Sequence, residues 1–193
     1  MSSVRVFLAI PLPQQLKGAI QTLQKNLRSQ IAGVRWVRPE NLHLTLHFFG
    51  EVEQETLEKI KVSVLSVTGC NRPFAVEVKG LGAFPNRRRP RVLWLGLEPK
   101  DQLMQVYENC RQSLQQAGVA TESRPYSPHL TIGRLRQPKS GLAALTELDS
   151  SIGDETIGRF SADRLVLFES RLQPGGAEHI PLLTVSLDKI HNP

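Results

Sequence analysis

His43-Leu44-Thr45-Leu46 and His129-Leu130-Thr131-Ile132 write one short pattern at two distant points of the chain. With five histidines and nine threonines in 193 residues, chance supplies about 0.23 His-x-Thr strings. Two copies, each with leucine in the middle and an aliphatic residue after, therefore point to internal duplication. Their lead-ins, Pro39-Glu40-Asn41 and Pro125-Tyr126-Ser127-Pro128, disfavour helix. Read as strands, the period of two puts His43 and Thr45 on one face and Leu44 and Leu46 on the other. His129 and Thr131 share a face in the same way. If two similar sheets face each other, two imidazoles and two hydroxyls converge on one cleft while the leucines anchor in the core.

The surrounding pattern supports strands interleaved with single helices. Val6-Phe7-Leu8-Ala9-Ile10 reads as a first strand, ended by Pro11 and Pro13. Helical stripes follow at Leu16, Ile20, Leu23, Leu27 and Ile31, and at Leu57, Ile60, Val64 and Val67. A third runs through Leu103, Val106, Tyr107, Cys110 and Leu114 and closes at Gly118. Phe74, Val76 and Val78 alternate as a half-buried strand, and Val92-Leu93-Trp94-Leu95 reads as a more buried one. Leu165–Phe168 and Leu182–Leu187 read as strands joined through Pro174-Gly175-Gly176, and Asp149 to Gly158 as a surface loop. The order predicts α+β layers with mainly antiparallel sheets in one compact unit spanning residues 1–193.

Composition bounds the class. Hydrophobic residues at 40% and charged residues at 22% belong to a globular protein and exclude collagen, coiled coil and wholesale disorder. A net charge of +6 favours an anionic partner, whether nucleic acid, nucleotide or lipid. Cys70 and Cys110 are too few for a disulfide scaffold and read as thiols in a reducing compartment; no Cys/His spacing suggests zinc. The first apolar run is too short to span a bilayer and lacks a cleavage site. These features predict a cytoplasmic protein without a membrane partner, and a monomer is the default.

Two imidazoles and two hydroxyls suit displacement at a phosphodiester. A neutral histidine takes a proton from the attacking oxygen while a charged one gives a proton to the leaving oxygen, and both roles fall near the ordinary histidine pKa. Hydroxyls and an arginine then donate to the non-bridging oxygens. Arg134 is the candidate arginine, although a perfect strand would turn it away from Thr131; a bulge or strand end at Gly133 brings it inward. His43 and His47 stand at a helical metal-ligand spacing, but the segment alternates as a strand and holds no glutamate, so no metal is expected. Neither cysteine lies in a nucleophile context.

Trp36-Val37-Arg38-Pro39-Glu40-Asn41-Leu42-His43-Leu44-Thr45-Leu46 with Phe48, Phe49, Gly50 and Glu51, followed by Pro128-His129-Leu130-Thr131-Ile132-Gly133-Arg134, resembles the two-histidine phosphoesterases. Within them it is most similar to the bacterial and archaeal RNA 2′,3′-cyclic phosphodiesterases, also called 2′-5′ RNA ligases. The likeness extends from Val6 through Pro13 to the closing Glu169-Ser170…Gly175-Gly176 segment. It implies a bilobal α+β fold with pseudo-twofold symmetry about a central cleft. It also implies metal-independent, cofactor-free opening of a 2′,3′-cyclic phosphate on an RNA end or a cyclic nucleotide, leaving a 2′-phosphate; reversal of such a step joins RNA ends by a 2′-5′ bond. By analogy His43 protonates the departing 3′ oxygen, His129 activates water, and Thr45, Thr131 and Arg134 hold the phosphate. Spacing alone does not orient the two histidines. Where the resemblance leads one to expect a tyrosine, near Glu178, this chain has His179.

Other residues have a bland and a functional reading. Trp36 and Phe48 are either core or rim aromatics or platforms for an unpaired base. Asn86-Arg87-Arg88-Arg89-Pro90-Arg91 is either a solvated hairpin loop or a grip on the RNA backbone. The rival to an enzyme is a module that holds a nucleotide or RNA end without turnover; a further alternative within enzymes is a small cyclic nucleotide or a 2′-5′ oligonucleotide as substrate.

Overall fold

In the computed structural model, which describes residues 3–135, 156–174 and 176–188, the run Val6–Ile10 is buried along its whole length. This strand, β1 (Val4–Pro11), has a neighbour on each side and cover on both faces, which is why it reads as continuous rather than alternating. One sheet has the order β3 (His43–Val52), β1, β8 (Arg164–Gln173), β9 (Gly176–Ser186). The other has the order β2 (Val34–Trp36), β6 (His129–Leu135), β5 (Val92–Glu98), β4 (Phe74–Phe84), β7 (Thr156–Ala162). The pairs are antiparallel throughout. The predicted surface loop needs correction, because its last residues, Thr156 to Gly158, begin β7 and pair with β4; residues 149–155 lie outside the described ones.

Three helices follow the apolar stripes: α1 (Gln14–Arg28), α2 (Gln54–Ser66) and α3 (Lys100–Gln116). The end of α3 shows how the sequence stops a helix. Gly118 takes φ +72, so its N–H donates to Gln115 and that of Val119 to Leu114, satisfying carbonyls the helix leaves open.

The helices cross between sheets. α1 follows β1 of the first sheet yet packs on the second, with Leu16 against Gly158 of β7. α3 follows β5 of the second sheet yet covers the first, where the Tyr107 ring stacks on His47 at 4.4 Å. α2 is joined to α3 by Ser113, whose hydroxyl donates to the Ser63 carbonyl at 3.1 Å.

One polar residue interrupts the apolar stripe of α1. Gln24 is almost fully buried, and its side-chain amide donates to the carbonyls of Val37 and Ile132, each at 2.9 Å. It ties α1 to both the approach to β3 and the middle of β6. Gln24→Met keeps the volume and removes both donors, so we expect unfolding in urea to show a loss of about 1–3 kcal/mol. A loss below about 0.5 kcal/mol, within the range of surface changes, would mean these bonds carry no net stability.

Candidate active site

Both motif strands depart from the two-residue period at the same place. In β3, Thr45 faces Ala9 but His47 faces Leu8, so Leu46 is an extra residue. In β6, Thr131 faces Trp94 but Gly133 faces Leu93, so Ile132 is extra. Each bulge falls on the residue after the threonine. In β3 it turns His47 off the face of His43 and Thr45 and into the core, where its Nε2 lies 3.1 Å from the Tyr107 carbonyl. The helical metal-ligand spacing of the two histidines is thereby undone. In β6 the bulge sits one residue before Gly133 and brings Arg134 onto the face of His129 and Thr131.

The two imidazoles are held alike. His43 Nδ1 lies 2.8 Å from the Asn41 carbonyl, and His129 Nδ1 lies 2.7 Å from the Ser127 carbonyl. A carbonyl only accepts, so Nδ1 carries the hydrogen in both rings and each leaves Nε2 for substrate. Both histidines and both threonines are half-buried, and no group among the described residues hydrogen-bonds to either threonine hydroxyl. Tyr126, ahead of the second motif, donates its hydroxyl to the Thr45 carbonyl at 3.0 Å, binding one motif to the other.

Aromatic walls surround the rings. His43 stacks on Phe7 at 4.7 Å and meets His179 edge-on at 5.2 Å. His129 meets Phe84 edge-on at 4.9 Å and Trp94 at 6.3 Å. The Trp94 ring lies over Gly82, where a Cβ would collide with it. Burial pushes the His43 pKa down from 6.5 to about 4, helped by the neighbouring His179 and by the charges of Lys17 and Arg134, against the Asn41 hydrogen bond. Burial lowers His129 too, with the Arg134 charge acting the same way and the Ser127 bond opposing. Arg134 of the second sheet thus acts on a histidine from each sheet.

Of the residues singled out from sequence, His43, Thr45, His129, Thr131 and Arg134 share this setting. Trp36 does not. It is paired with Gly133, its ring lies over that glycine and packs on the hydrophobic core, and its neighbour Arg35 takes the cleft face instead. Phe48 is exposed, directly across from Phe7, with the Arg5 guanidinium 5.1 Å from its ring centre. In the arginine loop, Asn86 accepts from the backbone N–H groups of Arg88 and Arg89, and Arg87 donates to the Leu81 carbonyl, so it is a built turn between β4 and β5. Sequence reasoning gave no site role to Phe7, Phe84, Trp94 or Phe168, whose ring stacks on Phe7 at 5.3 Å and lies 6.4 Å from that of His43. Alternation along β1 and β5 does place Phe7 and Trp94 opposite the buried Leu8 and Leu93, but the strand pairing needed to use that signal is not in the sequence.

Two sheets that each carry a histidine and a threonine on one strand face, with one arginine acting on both histidines, define a two-histidine phosphoesterase. The chain belongs to the family described as LigT like Phosphoesterase, which it matches twice in succession, over residues 10–94 and 95–177, one motif in each. It is 35% identical to the RNA 2′,3′-cyclic phosphodiesterase of Methanothermobacter thermautotrophicus, over 90% of this chain and 93% of the relative. It is 34% identical to the protein of that name from Methanocaldococcus jannaschii, over 90% and 95%. Among solved structures, a Thermus thermophilus protein superposes with a TM-score of 0.79 at 27% identity, covering 97% of this chain and all of that one. Escherichia coli LigT bound to 3′-AMP superposes with a TM-score of 0.77 at 25% identity, covering 96% and 99%.

The lowered pKa values carry a linkage. Between pH 6.5 and about 4 the unfolded chain holds a proton on His43 that the fold rejects, so folding stability falls as pH drops through that window. Imidazole nitrogen NMR should show Nδ1–H tautomers for His43 and His129, with His43 titrating near 4 and His129 below 6.5. Nε2–H tautomers in the free protein would contradict the carbonyl anchors.

Proposed function

We propose that the protein opens RNA 2′,3′-cyclic phosphates by paired histidine catalysis and leaves a 2′-phosphate and a 3′-hydroxyl. The observation that carries this reading is the matched pair of rings, each anchored through Nδ1 two residues back, with Arg134 acting on both. His129 Nε2 takes a proton from water as the water oxygen bonds to phosphorus. The P–O3′ bond breaks in line, and His43 Nε2–H protonates the departing oxygen. Arg134, Thr45 and Thr131 donate to the non-bridging oxygens, where charge shifts in the transition state. An RNA 5′-hydroxyl in place of water yields a 2′-5′ bond by the same displacement. This orientation of acid and base follows the family likeness, since the two rings are anchored alike.

No helix among the described residues is long and apolar enough to cross a membrane. The reading takes the chain as a monomeric cytoplasmic enzyme and residues 1–193 as one two-lobed domain, because both sheets draw strands from both halves of the chain.

His43→Ala or His129→Ala should each slow hydrolysis of a cyclic phosphate by about 10²–10⁴-fold, with chelator present or absent. Turnover like wild type in either variant overturns the mechanism. In the free enzyme both rings are neutral near pH 7, so the form with one charged and one neutral ring is scarce there. We therefore expect kcat/KM to peak below pH 6.5 and fall about tenfold per unit above the higher histidine pKa. kcat should peak at higher pH, because a bound phosphate anion favours the imidazolium.

A further inference from the structure

Arg134 does not stand alone on the second sheet. Arg35 of β2 is its direct partner in the ladder, and directly opposed residues share a face, with Cα atoms about 4.5–5.5 Å apart. Arg38 continues the same approach to β3. At the start of β9, a Cβ on Gly176 would stand 3.7 Å from both the Arg35 and the Arg38 guanidinium. Three arginines therefore lead from the two histidines to the β8–β9 turn.

A cavity of about 440 Å³ opens at that end, lined by Arg38, Glu40, Asn41, Gln173, Glu178 and His179. Two of these residues adjoin the reacting group: the Asn41 carbonyl anchors His43, and the His179 ring meets His43 at 5.2 Å. None belongs to the surroundings of His129, which are Ser127, Phe84 and Trp94. The cavity lies on the His43 side of the site. Its chemistry is that of an unpaired nucleoside: an imidazole and a guanidinium offer flat faces, and two amides and two carboxylates offer acceptors and donors to a base edge. Asn41 is fixed in this wall by its side-chain donation to the Ala177 carbonyl at 2.7 Å.

We propose that Arg35 and Arg38 hold the phosphodiester on the 5′ side of the reacting ribose and that the cavity takes the nucleoside beyond it, making this edge the track for single-stranded RNA. The direction rests on the reading above, in which His43 protonates the ribose 3′ oxygen: the ribose then sits beside His43, and the chain attached to it leaves past His179. Glu40, 3.9 Å from Arg38, offsets part of the positive charge, so the grip is moderate.

Binding of product ends tests the track without requiring turnover. The ligands are a trinucleotide ending in a 2′-phosphate and the matching nucleoside 2′-phosphate. Arg35→Gln combined with Arg38→Gln should weaken the trinucleotide about tenfold and leave the mononucleotide unchanged. The dependence of log Kd on log salt should become shallower by about 0.7 for each phosphate no longer neutralised. Gln173→Ala should weaken the trinucleotide several-fold and spare the mononucleotide. Both arginines are exposed, so folding is not at stake. Arg88→Gln with Arg89→Gln removes the same charge from the loop beyond Phe84 and should change neither affinity. Equal weakening of both ligands, no weakening of either, or the same loss from the Arg88 and Arg89 changes would each overturn the track. Hydrolysis of a cyclic mononucleotide by the wild-type protein separately tests the catalytic reading.

Discussion

A one-residue slip after each threonine is the constraint on which the cleft depends. Side chains alternate strictly along a strand, so a uniform β3 would send His43, Thr45 and His47 the same way, and a uniform β6 would send Arg134 away from Thr131. The bulges at Leu46 and Ile132 break that rule at the same point of each copy. In β3 the slip removes a third histidine from the cleft and places it in a core stack with Tyr107. In β6 it delivers an arginine. The duplicated strands are therefore alike up to the threonine and diverge just after it, where the two halves of the site require different things.

Such a slip needs holding, and the holding residues come from the other half of the chain. The carbonyl of the bulged Ile132 accepts from the Val37 N–H and from Gln24, both in the first half. The carbonyl of Thr45, beside the bulged Leu46, accepts from Tyr126 in the second half. Tyr126 in turn stacks on Tyr107 with ring centres 4.1 Å apart, and Tyr107 on His47. Each motif is steadied from outside its own repeat. Loosening one lobe alone would displace the side chains of both.

What the sequence made legible was what depends on local period. The three helical stripes, the close of α3 at Gly118 and the alternation through both motifs all read directly because each is set by neighbours within a few residues. The inward turn of Arg134 was also foreseeable, since an arginine three positions past the threonine is useless without a slip; its place at Ile132 rather than Gly133 was not. β2 and β7 escaped notice for a different reason. β2 is three residues long, and β7 begins inside a polar stretch whose strand character comes from pairing with β4. Trp36 was ambiguous because an aromatic beside a motif reads the same on either face, and only its pairing with Gly133 decides for the core. His179 stands 136 residues from His43, and no local pattern announces that the two rings touch.

The electrostatics of the pair follow from what anchors it. Each Nδ1–H meets a neutral backbone carbonyl rather than a carboxylate, so the imidazolium gains only a dipole and not an opposing charge. Burial opposes the charged form, Arg134 opposes it on both rings, and His179 opposes it further on His43. Every one of these effects is offset by a single change, the arrival of an anion between the rings. A phosphate placed there neutralises the arginine and gives the protonated imidazole a partner. Under the proposed mechanism the acid is thus armed by the substrate's own charge, and a neutral ligand of the same shape would leave both histidines as bases. Substitution of a carboxylate for either anchoring carbonyl would relax this requirement. The depressed histidines of the free site are therefore what a selective phosphoesterase wants.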